Sequence, residues 1–167
     1  MHATELNPQI RSVDQTTRVN LGCPKKCLGW TCVDRRGVPS LDVYDWLEHR
    51  AKTGDPVYEI RTKNLLEHLP DVGRFLALCN QVLSKGGRLD LITDNAEFLP
   101  FYFPFWIRHT GIGAHAVNQY ALDNCDSAHF AIFTAMHLKN LMKWAGFRSV
   151  TVARVTLGAR LLARGFK

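Results

Sequence analysis

Beyond Thr17 the chain alternates short apolar segments with amphipathic ones, and this alternation restricts the fold more than any other feature. Arg18-Val-Asn-Leu-Gly22 runs into a glycine, Trp30-Thr-Cys-Val-Asp34 ends in a carboxylate, and Val57-Tyr-Glu-Ile-Arg61 follows Asp55-Pro56. All three have the length and pattern of strands. Asp71, after Pro70, is placed to cap a helix on which Val72, Phe75, Leu76, Cys79, Val82 and Leu83 share a face, with Lys85-Gly86-Gly87 as its stop. Arg88 to Thr93 follows as a strand ending at Asp94-Asn95. Thr134 can cap a second helix carrying Leu138, Leu141, Met142 and Ala145, closed by Gly146. Val150 to Val155 and Ala159 to Ala163 then form a hairpin around Gly158. Strands alternating with helices and closed by a hairpin predict an α/β sandwich, mostly parallel with one antiparallel strand.

Composition sets the outer bounds. With 167 residues, 46% hydrophobic and 22% charged, the chain is long enough for one domain with a core, and general disorder is excluded. No apolar run approaches the roughly 20 residues of a membrane helix, and Met1 to Thr17 lacks the sections of a signal peptide. The expectation is an N-terminal arm over 1–17 and one domain over 18–167, cytoplasmic and away from membranes. The formal charge of +6 is uneven. Every acidic residue lies at or before Asp126, whereas Lys139, Lys143, Arg148, Arg154, Arg160, Arg164 and Lys167 follow it. Such a basic quarter can be a solvated face or a guide for RNA or another polyanion.

In a parallel sheet, ligands collect beyond the carboxyl ends of the strands. Gly22, Asp34, Asp42 or Asp45, Asn64 and Asp94 fall at or just past such ends. A glycine there lets a backbone approach a ligand, and a carboxylate closing the second strand can accept two hydrogen bonds from a ribose diol.

Five segments stand in a telling order: Val19-Asn-Leu-Gly-Cys23, Gly29-Trp-Thr-Cys-Val-Asp34, Asn64-Leu-Leu-Glu-His-Leu-Pro-Asp71, Leu83-Ser-Lys-Gly-Gly-Arg-Leu89 and Trp144-Ala-Gly-Phe147. Together they resemble the Rossmann-like (class I) S-adenosylmethionine-dependent methyltransferases, in particular a short subgroup with the pattern LNLGCG, GWxNVD, LEHLP and GGRL. The resemblance spans roughly residues 18 to 165. It implies a sheet in the order 3-2-1-4-5-7-6 with strand seven antiparallel, an S-adenosyl-L-methionine cofactor, and methyl transfer to an unassigned acceptor. Carried over by residue, Gly22 would lie under the methionine part and Asp34 would hold the ribose hydroxyls. Asp45, in preference to Asp42, would meet the adenine amine, with Trp46 flanking the ring. Asn64 and Leu65 would line the transfer pocket near Glu67 and His68, whose roles stay open. Two positions depart from the family. Pro24 stands where it has a second glycine, and only Cys23 to Leu28 separate the first two strands. A parallel crossover usually takes a dozen or more residues, so either the linking helix is absent or strand two is displaced.

Other features admit bland readings. The five cysteines are an odd number, so reduced thiols are expected in place of a disulfide framework. Cys23, Cys27 and Cys32 lack a histidine to complete a zinc set, and the expectation is no metal, with Cys32 in the core. His109, His115, Tyr120 and His129 are surface groups or part of an acceptor site. Phe98 to Trp106, rich in aromatics and proline, suits a packed lid or an interface. A binding or interaction module that has lost the donor site is the rival to an enzyme, and a metal–thiolate protein the third reading.

Overall fold

The computed structural model describes residues 17–23, 25, 27–35, 42–98 and 131–167. Among them are six strands and three α-helices in the order β1 (Arg18–Leu21), β2 (Thr31–Val33), α1 (Val43–Thr53), β3 (Val57–Lys63), α2 (Val72–Val82), β4 (Leu83–Asp94), α3 (Ala135–Trp144), β5 (Arg148–Val155) and β6 (Arg160–Phe166). One sheet joins the strands as β2-β1-β3-β4-β6-β5. The first four are mutually parallel, and β6 runs antiparallel to both β4 and β5. The α/β class, the mostly parallel sheet and the closing hairpin agree with the expectation.

The expected strand order needs one correction. No described strand flanks β2 on its outer side, so the order begins at what would be position two. The physical reason lies after α1. Gly54 caps it in the left-handed conformation, and only Asp55 and Pro56 remain before β3 starts, which leaves no stretch there for another strand. The alternative left open between the first two strands resolves as well: β2 pairs directly with β1, Asn20 opposite Cys32, and no helix links them. A second difference lies in β4, which starts at Leu83 and takes in Lys85-Gly86-Gly87. Leu83 pairs with Val57 and Arg88 with Glu59, so a register shift absorbs the glycines that looked like a helix stop.

All three helices lie on one face. Trp46 and Leu47 of α1, Phe75 and Leu76 of α2, and Leu138 and Met142 of α3 are buried in one core with Val19, Leu21, Ile60, Leu89, Leu91 and Leu161 of the sheet. Each such side chain contributes about 1.5–3 kcal/mol on leaving water. Because strand side chains alternate, the other face carries a registered polar row: Cys32, Asn20, Arg61, Asp90 and Arg164. The carboxyl ends of β1, β2 and β3 open beside the starts of α1 and α2. Within the described residues no helix is long and apolar enough to cross a membrane.

Candidate functional site

A cavity of about 560 Å³ lies over those strand ends. Gly22 enters it from β1, Asp34 and Arg35 from β2, and Asn64 and Leu65 from β3. Asp42, Val43 and Tyr44 at the start of α1, and His68 to Asp71 with Arg74 around the start of α2, close the rest. Four of the residues expected at a ligand site, Gly22, Asp34, Asn64 and Leu65, therefore meet in one place.

Local geometry explains their identities. Gly22 has φ of 77°, a left-handed backbone that side chains rarely adopt, and its N–H donates to Val33 O at 2.7 Å. A Cβ at this position would stand 3.0 Å from Leu65 Cβ, so the turn and the neighbour both require glycine. Asp34 ends β2 at 7% exposure. Asn64, with φ of 52°, bends the chain sharply out of β3 while its N–H donates to Ile92 O at 2.9 Å. Asparagine tolerates that region better than most residues, and strain of this kind gathers at ligand sites.

The structure does not bring Asp45 and Trp46 to this cavity. Asp45, directly after Tyr44, is exposed on α1 and does not line the cavity, while Trp46 points into the core at 3% exposure, its ring under the Arg50 guanidinium. The carboxylate that does line the cavity from this segment is Asp42. As the N-cap of α1 it accepts from the backbone N–H groups of Tyr44 and Asp45, and it pairs with Arg35.

The opposite wall was harder to foresee. The Tyr44 hydroxyl donates to Asp71 O at 2.8 Å, and Arg74 lies over the Tyr44 ring while pairing with Glu48. Asp71 caps α2 by accepting from Arg74 N, as its place after Pro70 had implied. Tyr44 and Arg74 carried no local signal, because they become neighbours only through the packing of α1 on α2.

Beneath His68, the Leu66–His68 turn buries Glu67 at 2% exposure, where it accepts from Thr93 Oγ1 at 2.9 Å. Burial pushes the Glu67 carboxyl above the usual range. Asp94, at the end of β4, is also pushed up by burial, opposed by the charges of Arg160 and His68. His109, His115, Tyr120, His129 and Pro24 lie outside the described residues, as do the arm before Thr17 and the aromatic run after Phe98.

No family model and no curated protein matches the chain. Solved structures do. The fold is similar to a SAM-dependent methyltransferase from Archaeoglobus fulgidus, with TM-score 0.60 and 13% identity over 91% of this chain and 86% of that one. It is also similar to human N-acetylserotonin methyltransferase in complex with SAM, with TM-score 0.53 and 13% identity over 90% of this chain and 40% of that one. A possible exported protein from Bordetella parapertussis gives TM-score 0.51 at 12% identity over 92% and 63%. At these identities the likeness is one of architecture: the chain has the Rossmann-like fold found in S-adenosylmethionine-dependent methyltransferases.

Proposed function

We propose that the chain is an S-adenosylmethionine-dependent methyltransferase whose acceptor is unassigned. The observation that carries this reading is the cavity itself, which gathers Gly22, Asp34, Asn64 and Leu65 at the carboxyl ends of adjacent parallel strands. Its residues fit the cofactor. Asp34 offers two acceptor oxygens to a ribose diol, Gly22 leaves room for a methionine chain to pass its backbone, and Asp42 offers a carboxylate to an adenine amine. Bound S-adenosylmethionine supplies an electrophilic methyl group on a sulfonium.

The chain's own residues would orient the two reactants and exclude water between them. Such positioning supplies most of what methyl transfer to a good nucleophile needs. A base is required only for an acceptor that must lose a proton. Among the described residues, His68 on the cavity wall is a candidate for that task, while buried Glu67 is tied to Thr93.

Calorimetric titration of the chain with S-adenosylmethionine and S-adenosylhomocysteine tests the reading without knowledge of the acceptor. Saturable one-site binding of both is expected. No heat with either would favour the rival reading, a binding module on the same fold that has lost the donor site.

A further inference from the structure

We propose that Cys23, Cys27 and Cys32 form a three-thiolate site for a soft divalent cation such as Zn²⁺, on the sheet face opposite the helices. The three sulfur atoms lie within 4.8 Å of one another, with Cys23 Sγ and Cys27 Sγ 3.6 Å apart. A cation with metal–sulfur bonds of about 2.3 Å holds its thiolates roughly 3.8–4.0 Å from each other, so modest side-chain rotation closes the set.

The surroundings suit thiolates. The Asn20 amide donates to Cys27 Sγ at 3.7 Å, an outer-sphere contact of the kind that orients a ligand. Arg61 registers beside Asn20 on the same face, its guanidinium over the Trp30 ring. Three thiolates on a dication leave one negative charge, which Arg61 opposes. The Cys23 and Cys27 thiols also reach Lys25 O at 3.2 and 3.6 Å. Metal binding would release the thiol protons to solvent, and no redox partner is needed.

The connection between β1 and β2 supplies an independent argument. It crosses between parallel strands without a helix, and Leu28 stands fully exposed on it. A crossover of this kind usually spends a dozen residues on a helix that packs against the sheet. Here Cys23 and Cys27 lie on the connection and Cys32 on β2, so one cation would tie the loop to its strand. This inference does not rest on methyltransferase activity.

The test uses the full chain, reduced and freed of metal, titrated with Zn²⁺ against a chromophoric chelator and separately with Co²⁺. The expected result is about one equivalent per chain, with sulfur-to-cobalt charge-transfer bands of an intensity set by three thiolates. Cys27→Ser and Cys32→Ala should each weaken Zn²⁺ binding roughly tenfold or more, and Cys79→Ala, in buried helix α2, should leave it unchanged. The cobalt spectrum of the parent chain keeps the test decisive if a variant misfolds. Sub-stoichiometric binding, a cobalt spectrum without thiolate bands, or equal affinity in the cysteine variants overturns the proposal. So does a reduced chain that takes no metal but forms a Cys23–Cys27 disulfide in air.

Discussion

The Asp34 carboxylate is nearly out of solvent yet faces the cavity, so its hydrogen bonds to a ligand would form in a medium where they count for more than in water. Asp34→Ala should weaken S-adenosylmethionine binding by roughly 1.5–3 kcal/mol in a calorimetric titration, because two charge-assisted bonds to a diol are lost. In the same series the loss should be larger for Asp42→Ala than for Asp45→Ala, since only Asp42 lines the cavity. Glu67 leads to a pH prediction. Burial raises its folded pKa above the ordinary 4.5, so the fold favours the protonated form. Its contribution to stability is complete below the unfolded value and is lost as pH rises through the folded one. Melting temperatures of the parent and of Glu67→Gln, taken between about pH 4 and pH 7, should show a shallower decline in the variant. Gly22, Asp34 and Asn64 were legible because a residue at a strand's carboxyl end owes its position to the strand, whereas Leu65 followed only from the family resemblance. Asp42 was harder to choose over Asp45 because a cap and the residue three positions on differ by where the helix begins.

Elements with their own punctuation were readable, and those that depend on distant partners were not. Thr134 caps α3, its side chain accepting from His137 N at 3.1 Å, and Asp71 caps α2. Thr134→Ala should cost about 1 kcal/mol, seen as a lower urea midpoint at unchanged slope, with cofactor affinity untouched because Thr134 is not a cavity residue. The start of β4 shows the limit. Lys85-Gly86-Gly87 has the composition of a turn, yet pairing of Leu83 with Val57 draws the segment into the sheet. Tertiary pairing overrode local preference there. The convergence of Cys23, Cys27 and Cys32 was also invisible, because spacing along the chain does not say how a connection without a helix folds back over its neighbour.

Over the whole molecule, the uneven charge seen in the sequence is largely answered by the sheet. Arg164 makes a two-pronged contact with Asp90 at 2.6 and 2.9 Å, Arg154 pairs with Glu97, and Arg160 lies 3.9 Å from Asp94. Leu161, Ala163 and Gly165 face α3, so Arg160 and Arg164 point to the opposite side from Lys139 and Lys143. The four cations do not form one patch. RNA or another polyanion as partner therefore stays a proposal carried by the exposed lysines of α3. Changing Lys139 and Lys143 to Gln should lower the log–log salt slope of single-stranded RNA binding by roughly 1.4, measured by fluorescence anisotropy. The Arg160 and Arg164 pair should alter it less. The order β2-β1-β3-β4 also has a kinetic consequence. Among the described residues β2 holds the sheet's outer position with three residues and a partner strand on one side, yet Asp34 hangs from its end. A short edge strand opens locally at low cost, so amide protons of Thr31 to Val33 should exchange well before those of β3 and β4. A ligand gripping Asp34 would slow exchange in β2 while leaving the central strands as they were, so the most easily opened strand of the sheet becomes the reporter of its occupancy.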